Sequence, residues 1–407
     1  MNSSLFLCII RERLEFYMKN IVVIGGGPSG MMAAISAKIN HPQAHVILLE
    51  RNERLGKKLR MTGGGRCNVT ANVSNEEVIK HVPKNGKFLF SSLTNFNPQS
   101  IQSFFPENGC PLKIEDHHRV FPESNKSQDI VEALNRKLLN SDVEVHLHAF
   151  VTGIDTASQV VLTETRKFPY DHLILATGSR TLPGTGSDGN GYELSKSLGH
   201  SITDLVPAEV PLVSNDLFVQ EKTLQGLSFH DVTVHVYKGT KIKHSITHDL
   251  LFTHFGISGP AALRASFYVM RILDKENPVN LSIDFLPKIS LEQLQAQEDW
   301  EAFVQEQGIP KRLLAYFKTF CKGDHEIIQT LKKFPMTVYA TRGFAHAFVT
   351  NGGVNLKEID PKTMRSKINP TISFCGELMD YNAYTGGFNI TSAFSTGYTA
   401  GLFALED

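Results

Sequence analysis

Between Ile21 and Glu50 the chain reads IVVIGGGPSGMMAAISAKINHPQAHVILLE, a stretch that leaves few folds open. Four apolar β-formers, Ile21 to Ile24, run into Gly25, Gly27 and Gly30 at G-x-G-x-x-G spacing. A small-residue helix is expected over 31–39 and a second buried strand over 46–49, closed by Glu50. Each piece answers a mechanical need. Gly25 permits the sharp strand-to-helix turn, Gly27 lets backbone N–H groups approach a pyrophosphate, and Gly30, backed by Ala33 and Ala34, lets the helix lie close to the sheet. The helix N-terminus then turns free N–H groups and its positive dipole end toward phosphate. Glu50 stands where a carboxylate accepts from ribose hydroxyls and repels a 2′-phosphate. The unit predicts an adenine dinucleotide.

A chain of 407 residues exceeds what one hydrophobic core organises, so two or three domains are expected. Lys+Arg and Asp+Glu are both 41, which argues against nucleic acid or an anionic membrane as the main partner and favours a small-molecule substrate. Oligomeric state is not legible. The five cysteines, Cys8, Cys67, Cys110, Cys321 and Cys375, contain no C-x-x-C pair, so neither a disulfide framework nor a zinc site is expected. His117-His118 lacks metal-ligand spacing to an acidic or Cys partner, and no metal is assigned. A reducing cytoplasm fits, and no apolar run approaches the roughly 18 residues of a membrane span. The apolar Leu5–Ile10 lacks a basic region before it and a small-residue cleavage site after it. Residues 1–17 are therefore read as an extension, with Met18 as the physiological start.

The pattern divides the remainder into a dinucleotide domain over 18–200, an inserted β-rich domain over 201–345, and the dinucleotide domain's second part over 346–407. Within the first, 129–139 is helical by periodicity, 143–151 and 160–162 are strand-like, and YDHLILA (170–176) is a buried strand ending in Thr177-Gly178. From about Leu205 alternating β-type segments take over, interrupted over 288–335 by a helical subdomain whose apolar series, including Leu291, Leu294, Trp300, Phe303 and Leu313, is core. A final helix is expected over 392–405. Gly184, Gly186, Gly189 and Gly191 follow Pro183 in a loop and lack the strand context of a second fingerprint.

Two further segments carry chemistry. KKLRMTGGGRCNVT (57–70) concentrates glycines with Arg60, Arg66 and Asn68, a composition suited to the wall of an anion or a flat ring. GELMDYNAYTGGFNI (376–390) places Asp380 after a β-like run and Gly386-Gly387 before a helix. A helix N-terminus near the N1–C2=O edge of a flavin stabilises its reduced form, and Asp380 is placed to hold ribityl hydroxyls. With adenosine at one end and a redox ring at the other, FAD is expected over NAD.

TGGGRCNVT (62–70), LILATGS (173–179), FTHFGISGP (252–260), VTNGGV (349–354), TMRSK (363–367) and GELMDYNAYTGGFNI together resemble one family. It is the bacterial FAD-dependent oxidoreductases that include aminoacetone oxidase-like and bile-acid dehydro-Δ4 reductase-like proteins. The resemblance implies an α/β fold: a two-dinucleotide-fold (Rossmann-type) FAD domain built from both chain ends, with an inserted β-barrel carrying a small helical subdomain. Carried over by motif, Gly25, Gly27, Pro28, Ser29, Gly30, Glu50 and Arg51 hold the ADP half, and Val151 holds the adenine edge through its backbone. Arg60, Gly64, Gly65, Arg66, Cys67 and Asn68 lie along the pyrophosphate and flavin. Ala176, Thr177, Gly178, Gly376, Glu377, Asp380, Gly387, Phe388, Asn389 and Ile390 complete the site. The chain departs from the family at Asn382-Ala383, where Asp-Gly is common, and at Phe388 to Thr391, where Tyr-Asn-Leu-Gln is.

The resulting expectation is a flavin oxidoreductase acting on a small amine, ketone or enone-like compound, its flavin reoxidised by oxygen or reduced by NAD(P)H as a transient donor without a fold of its own. His254 is a candidate proton exchanger and Tyr384 a candidate pocket wall, the two catalytic assignments. Cys67 is read as a packed or flavin-contacting thiol. The competing classes are an FAD-dependent tRNA-modifying enzyme, which predicts basic patches and nucleophilic cysteines, and a flavin-binding protein without turnover.

Overall fold

β1 (Asn20–Ile24) is buried on both faces, which is why it reads as an unbroken apolar run. The computed structural model describes residues 18–273 and 277–405, so the extension expected over 1–17 lies outside the described residues. Among the described residues two compact units appear: 18–206 together with 350–405, and 207–273 with 277–349. In the first, β1 is followed by α1 (Pro28–Asn40), β2 (His45–Leu49), α2 (Ser127–Asn140), β3 (Glu144–His146), β4 (His172–Leu175), β5 (Ile372–Phe374) and α3 (Phe388–Leu402). The sheet order is β5-β4-β1-β2-β3, every pair parallel. The chain leaves β1 toward β2 on one side and reaches β4 on the other, so the strand order reverses between β1 and β4. In open α/β sheets ligands bind outside the carboxyl ends at such a point.

The C-terminal segment rejoins this unit through α3, which packs on α1 almost backbone to backbone. A Cβ at Gly397 would lie 2.2 Å from the Ser29 carbonyl oxygen, and one at Gly401 2.3 Å from that of Ala33. Ser36 Oγ donates to the Tyr398 carbonyl at 2.7 Å. Small residues on both helices are the condition for this approach, and any side chain at 397 or 401 would force the helices apart.

Several boundaries differ from the sequence expectation for local reasons. α1 starts at Pro28, whose fixed φ and missing N–H suit the first helical position. α3 begins at Phe388, four residues early, because Gly387 at φ 93° already turns the chain into it. The strand expected over 143–151 is two strands in different sheets, β3 and Val151–Asp155, with His148 at φ 55° between them. Val151–Asp155 pairs antiparallel with Val160–Thr163, which pairs with Lys167–Pro169.

The second unit is built on an antiparallel seven-stranded sheet around the long hairpin of Ser228–Lys238 and Lys241–Thr253. Its end strands, Phe334–Val338 and Ala340–Thr341, are consecutive in the chain, separated by Tyr339, whose N–H donates to the Val213 carbonyl at 3.0 Å. The chain itself thus links the two ends, where the expected barrel calls for a hydrogen-bonded pair. Four short helices, Leu291–Gln295, Trp300–Glu306, Lys311–Phe317 and Asp324–Lys332, form the helical part, their apolar faces buried with Phe285 and Phe334 in this unit's own core.

Candidate cofactor cleft

Within the first unit, a cleft opens at the carboxyl ends of β1 and β4, lined by Gly25 to Ser29 on one side and Ala176 to Gly178 on the other. The three fingerprint glycines serve separable ends. Gly25, at φ 110°, has the Ala176 carbonyl oxygen 2.4 Å from where a Cβ would sit, and at Gly30 the clash is with the Gly25 carbonyl oxygen at 1.8 Å. Gly25 thus lies against the end of β4, and Gly30 closes the turn on itself. Gly27 is different: a Cβ there meets no atom within 4 Å, at φ −80°, a conformation open to any residue. The space beside the first turn of α1 is therefore open on the cleft side, and α1 has no side-chain cap. Together these fit a diphosphate, which the first-turn N–H groups and the helix dipole attract.

Glu50 is 7% exposed at the end of β2. Its Oε2 accepts from the Gly26 N–H at 2.7 Å, and its Oε1 accepts from the Asn52 backbone N–H at 2.8 Å and from Asn52 Nδ2 at 2.7 Å. The carboxylate thus holds the glycine turn as well as facing the cleft, with acceptor capacity remaining for a ribose hydroxyl. Farther along, Lys58 Nζ lies 2.6 Å from Glu377 Oε2 and donates to Thr181 Oγ1 at 3.0 Å, while Ser179 Oγ donates to the same carboxylate oxygen at 3.1 Å. Gly376, next to Glu377, abuts Ser29: a Cβ there would be 2.3 Å from Ser29 Oγ. At the start of α3, Asn389 accepts from the Ala383 N–H at 2.8 Å and donates to its carbonyl at 2.6 Å, which anchors the loop that carries Tyr384.

Of the residues expected to hold cofactor, Gly25, Gly27, Pro28, Ser29, Glu50, Arg51, Val151, Ala176, Thr177, Gly178, Glu377, Asn389 and Ile390 line the cleft. Gly30, Arg60, Gly64, Gly65, Arg66, Cys67, Asn68, Gly376, Asp380, Gly387 and Phe388 do not line it. Several are committed elsewhere. Arg66 is ion-paired with Glu115 and stacked 3.9 Å from the Phe121 ring centroid. Asn68 Oδ1 accepts from the Val120 N–H at 3.2 Å. The carboxylate of Asp380, a residue 4% exposed, accepts from Lys84 Nζ at 2.8 and 3.0 Å. Cys67 is fully buried, and burial pushes its thiol up to about 12, so it is no nucleophile at neutral pH. Gly387 leaves no room for a side chain, with the Thr70 carbonyl 2.6 Å from a Cβ.

The two catalytic candidates separate. Tyr384 is half-buried in the first unit, its N–H donating to the His81 carbonyl at 2.9 Å and its ring edge-on to His81, which stacks on Phe388 at 4.1 Å. His254 belongs to the second unit, exposed in the turn between Lys241–Thr253 and Gly256–Ser258, with its ring against Phe255. Neither Tyr384 nor His254 lines the cleft. Sequence reading missed Asn52, Lys58 and, in the loop from Pro183 to Gly191, the residues Thr185 to Asp188, Asn190 and Gly191, all of which line it. The loop's four glycines were visible, but the search for a second strand-bound fingerprint set them aside.

The family model described as the HI0933-like protein Rossmann domain matches residues 19–403. The chain belongs to the HI0933-like family. It is an FAD-dependent oxidoreductase with a Rossmann-type FAD domain. A relative 29% identical over 96% of this chain and 100% of its own is the 3-dehydro-bile acid delta(4,6)-reductase of Clostridium scindens. Another, 27% identical over 95% of this chain and 98% of its own, is the ribosomal RNA dihydrouridine synthase of Haemophilus influenzae. The solved 3-ketosteroid delta1-dehydrogenase of Sterolibacterium denitrificans superposes with a TM-score of 0.50 over 94% of this chain and 99% of that one at 12% identity, a likeness of fold. No described helix is long and apolar enough to cross a membrane.

Proposed function

We propose that this flavoenzyme reduces a carbon–carbon double bond conjugated to a carbonyl in a small organic substrate, in the reducing interior of a cell. The observation that carries this reading is the pairing of full-length relatives. A 4,6-unsaturated 3-ketone and the C5=C6 bond of uridine differ in every respect except that each is an alkene polarised by a carbonyl, which is the arrangement that accepts hydride. The balance of 41 basic and 41 acidic residues favours the small substrate over RNA. Bound FAD supplies the hydride exchange. The chain's own residues bind and orient. The N–H groups at the start of α1 take the diphosphate, Glu50 takes the ribose, and the Lys58–Glu377 pair fixes the facing wall. Tyr384, the candidate pocket wall, belongs to the same unit as the cleft, and His254, the candidate proton exchanger, to the other. NAD(P)H supplies the two electrons that return the flavin to its reduced state.

A second reading, reduction of uridine in RNA, has the Haemophilus influenzae relative behind it. Anaerobic reduction of the purified protein with NADH or NADPH, followed by addition of a steroidal 4-en-3-one, uridine-containing ribosomal RNA or oxygen, separates the readings. Return of oxidised-flavin absorbance with the enone supports the proposal, and return with RNA alone moves the activity to the second reading. Flavin that neither conjugated alkene reoxidises sinks both.

A further inference from the structure

The loop that sequence reading set aside is tied down across the cleft. Pro183–Thr185 forms a single turn, and Gly186 and Gly189 sit at φ 96° and 92°, so the chain through 191 follows a path that side chains rarely permit. Its attachments converge on the segment after β2. Asp188 Oδ2 meets Arg51 Nη1 at 2.5 Å, and the Arg51 guanidinium lies over the Phe150 ring, 4.5 Å from its centroid. Asn52 Nδ2 donates to the Thr185 carbonyl at 3.0 Å while also donating to Glu50 Oε1. Asn190 Nδ2 donates to the Val151 carbonyl at 3.2 Å. Both sides of each of these contacts line the cleft.

We propose that the 183–191 loop is a latch over the Glu50 end of the cleft, and that the Arg51–Asp188 and Asn52–Thr185 contacts set how fast the adenosine end of the dinucleotide leaves. The proposal rests on the FAD reading above. Arg51 and Asp188 are about one-third exposed, at 35% and 38%, so the pair stands at the rim, where it can open without unfolding the unit. Burial works to raise the Asp188 carboxyl, but the Asn190 N–H and the Arg51 charge outweigh it and hold the group below its ordinary value, charged at neutral pH. Asn52 joins the latch to the ribose carboxylate: one amide bonds Glu50 and the loop, so opening the loop also loosens Glu50. Asn52 is thus a positioning residue.

The test is the rate of FAD release, followed as the recovery of flavin fluorescence on dilution of the holoprotein. Asp188→Asn is expected to release FAD about threefold to fivefold faster, the range of a rim ion pair. Asp188→Glu, which keeps a carboxylate to meet Arg51, is expected to stay within roughly twofold of wild type. Wild-type release rates in Asp188→Asn, or an Asp188→Glu chain that releases FAD as fast as Asp188→Asn, overturn the latch while leaving the FAD reading intact. A wild-type chain that takes up no FAD overturns that reading, and the latch with it.

Discussion

Two glycine-rich loops of the first unit look alike as sequence and behave differently as structure. In Gly25 to Gly30, two glycines are locked against backbone oxygens and the third, Gly27, faces open cleft. In Gly63 to Gly65, all three residues sit at positive φ, and a Cβ at Gly64 or Gly65 meets nothing within 4 Å, yet neither lines the cleft. After that loop, Arg66 pairs with Glu115 and stacks on Phe121, and Asn68 Oδ1 accepts from the Val120 N–H. Glycine content marks where backbone is unusual. Whether the loop cradles a ligand is decided by which donors stay free and which way the open space faces.

The strongest test of this contrast is Gly30→Ala. With the Gly25 carbonyl oxygen 1.8 Å from the new methyl, the turn must break, and a loss of about 3 kcal/mol or more in chemical denaturation is expected. Full stability in this variant would show that the turn is not self-locked. Gly27→Ala comes next: stability should stay within about 0.5 kcal/mol, because φ is ordinary and the space empty, while FAD affinity falls about tenfold or more in titration. Unchanged affinity would remove Gly27 from the cradle. For Gly64→Ala the order inverts. The left-handed φ of 66° costs about 1 kcal/mol of stability, with a smaller effect on FAD affinity than Gly27→Ala. A larger one would make the second loop a cofactor wall after all.

The smallest effect concerns the anchor of that second loop. Hydrogen bonds from Arg66 and then Lys113 hold the Glu115 carboxyl below its ordinary range. A depressed folded value means that the pair's contribution is complete above the ordinary carboxylate range and is lost as pH falls through the lowered value. The melting temperatures of wild type and Glu115→Gln should therefore differ slightly at neutral pH and converge in acid. A gap that ignores pH would mean that Arg66 is held chiefly by the Phe121 ring.

Much of the first unit was legible because its signals are local. The burial of β1, the glycine turn and the terminal carboxylate all lie within thirty consecutive residues, and periodicity found α2 to within two residues of each end. The returning C-terminal helix was legible from its glycines, although not their partners: only the fold shows Gly397 and Gly401 closing on Ser29 and Ala33. Commitments across long separations were not legible. Nothing near Asp380 announces Lys84, nearly three hundred positions earlier, and nothing near Arg51 announces Asp188.

The sequence by itself determined that a dinucleotide binds at the end of the first strand, since strand, turn, helix and carboxylate are contiguous and their chemistry does not depend on distant neighbours. The tertiary structure decided which of the remaining polar residues face that ligand. A side chain has one set of bonds to give, and where the fold brings a distant partner within reach, as with Arg66 and Asp380, those bonds are already made.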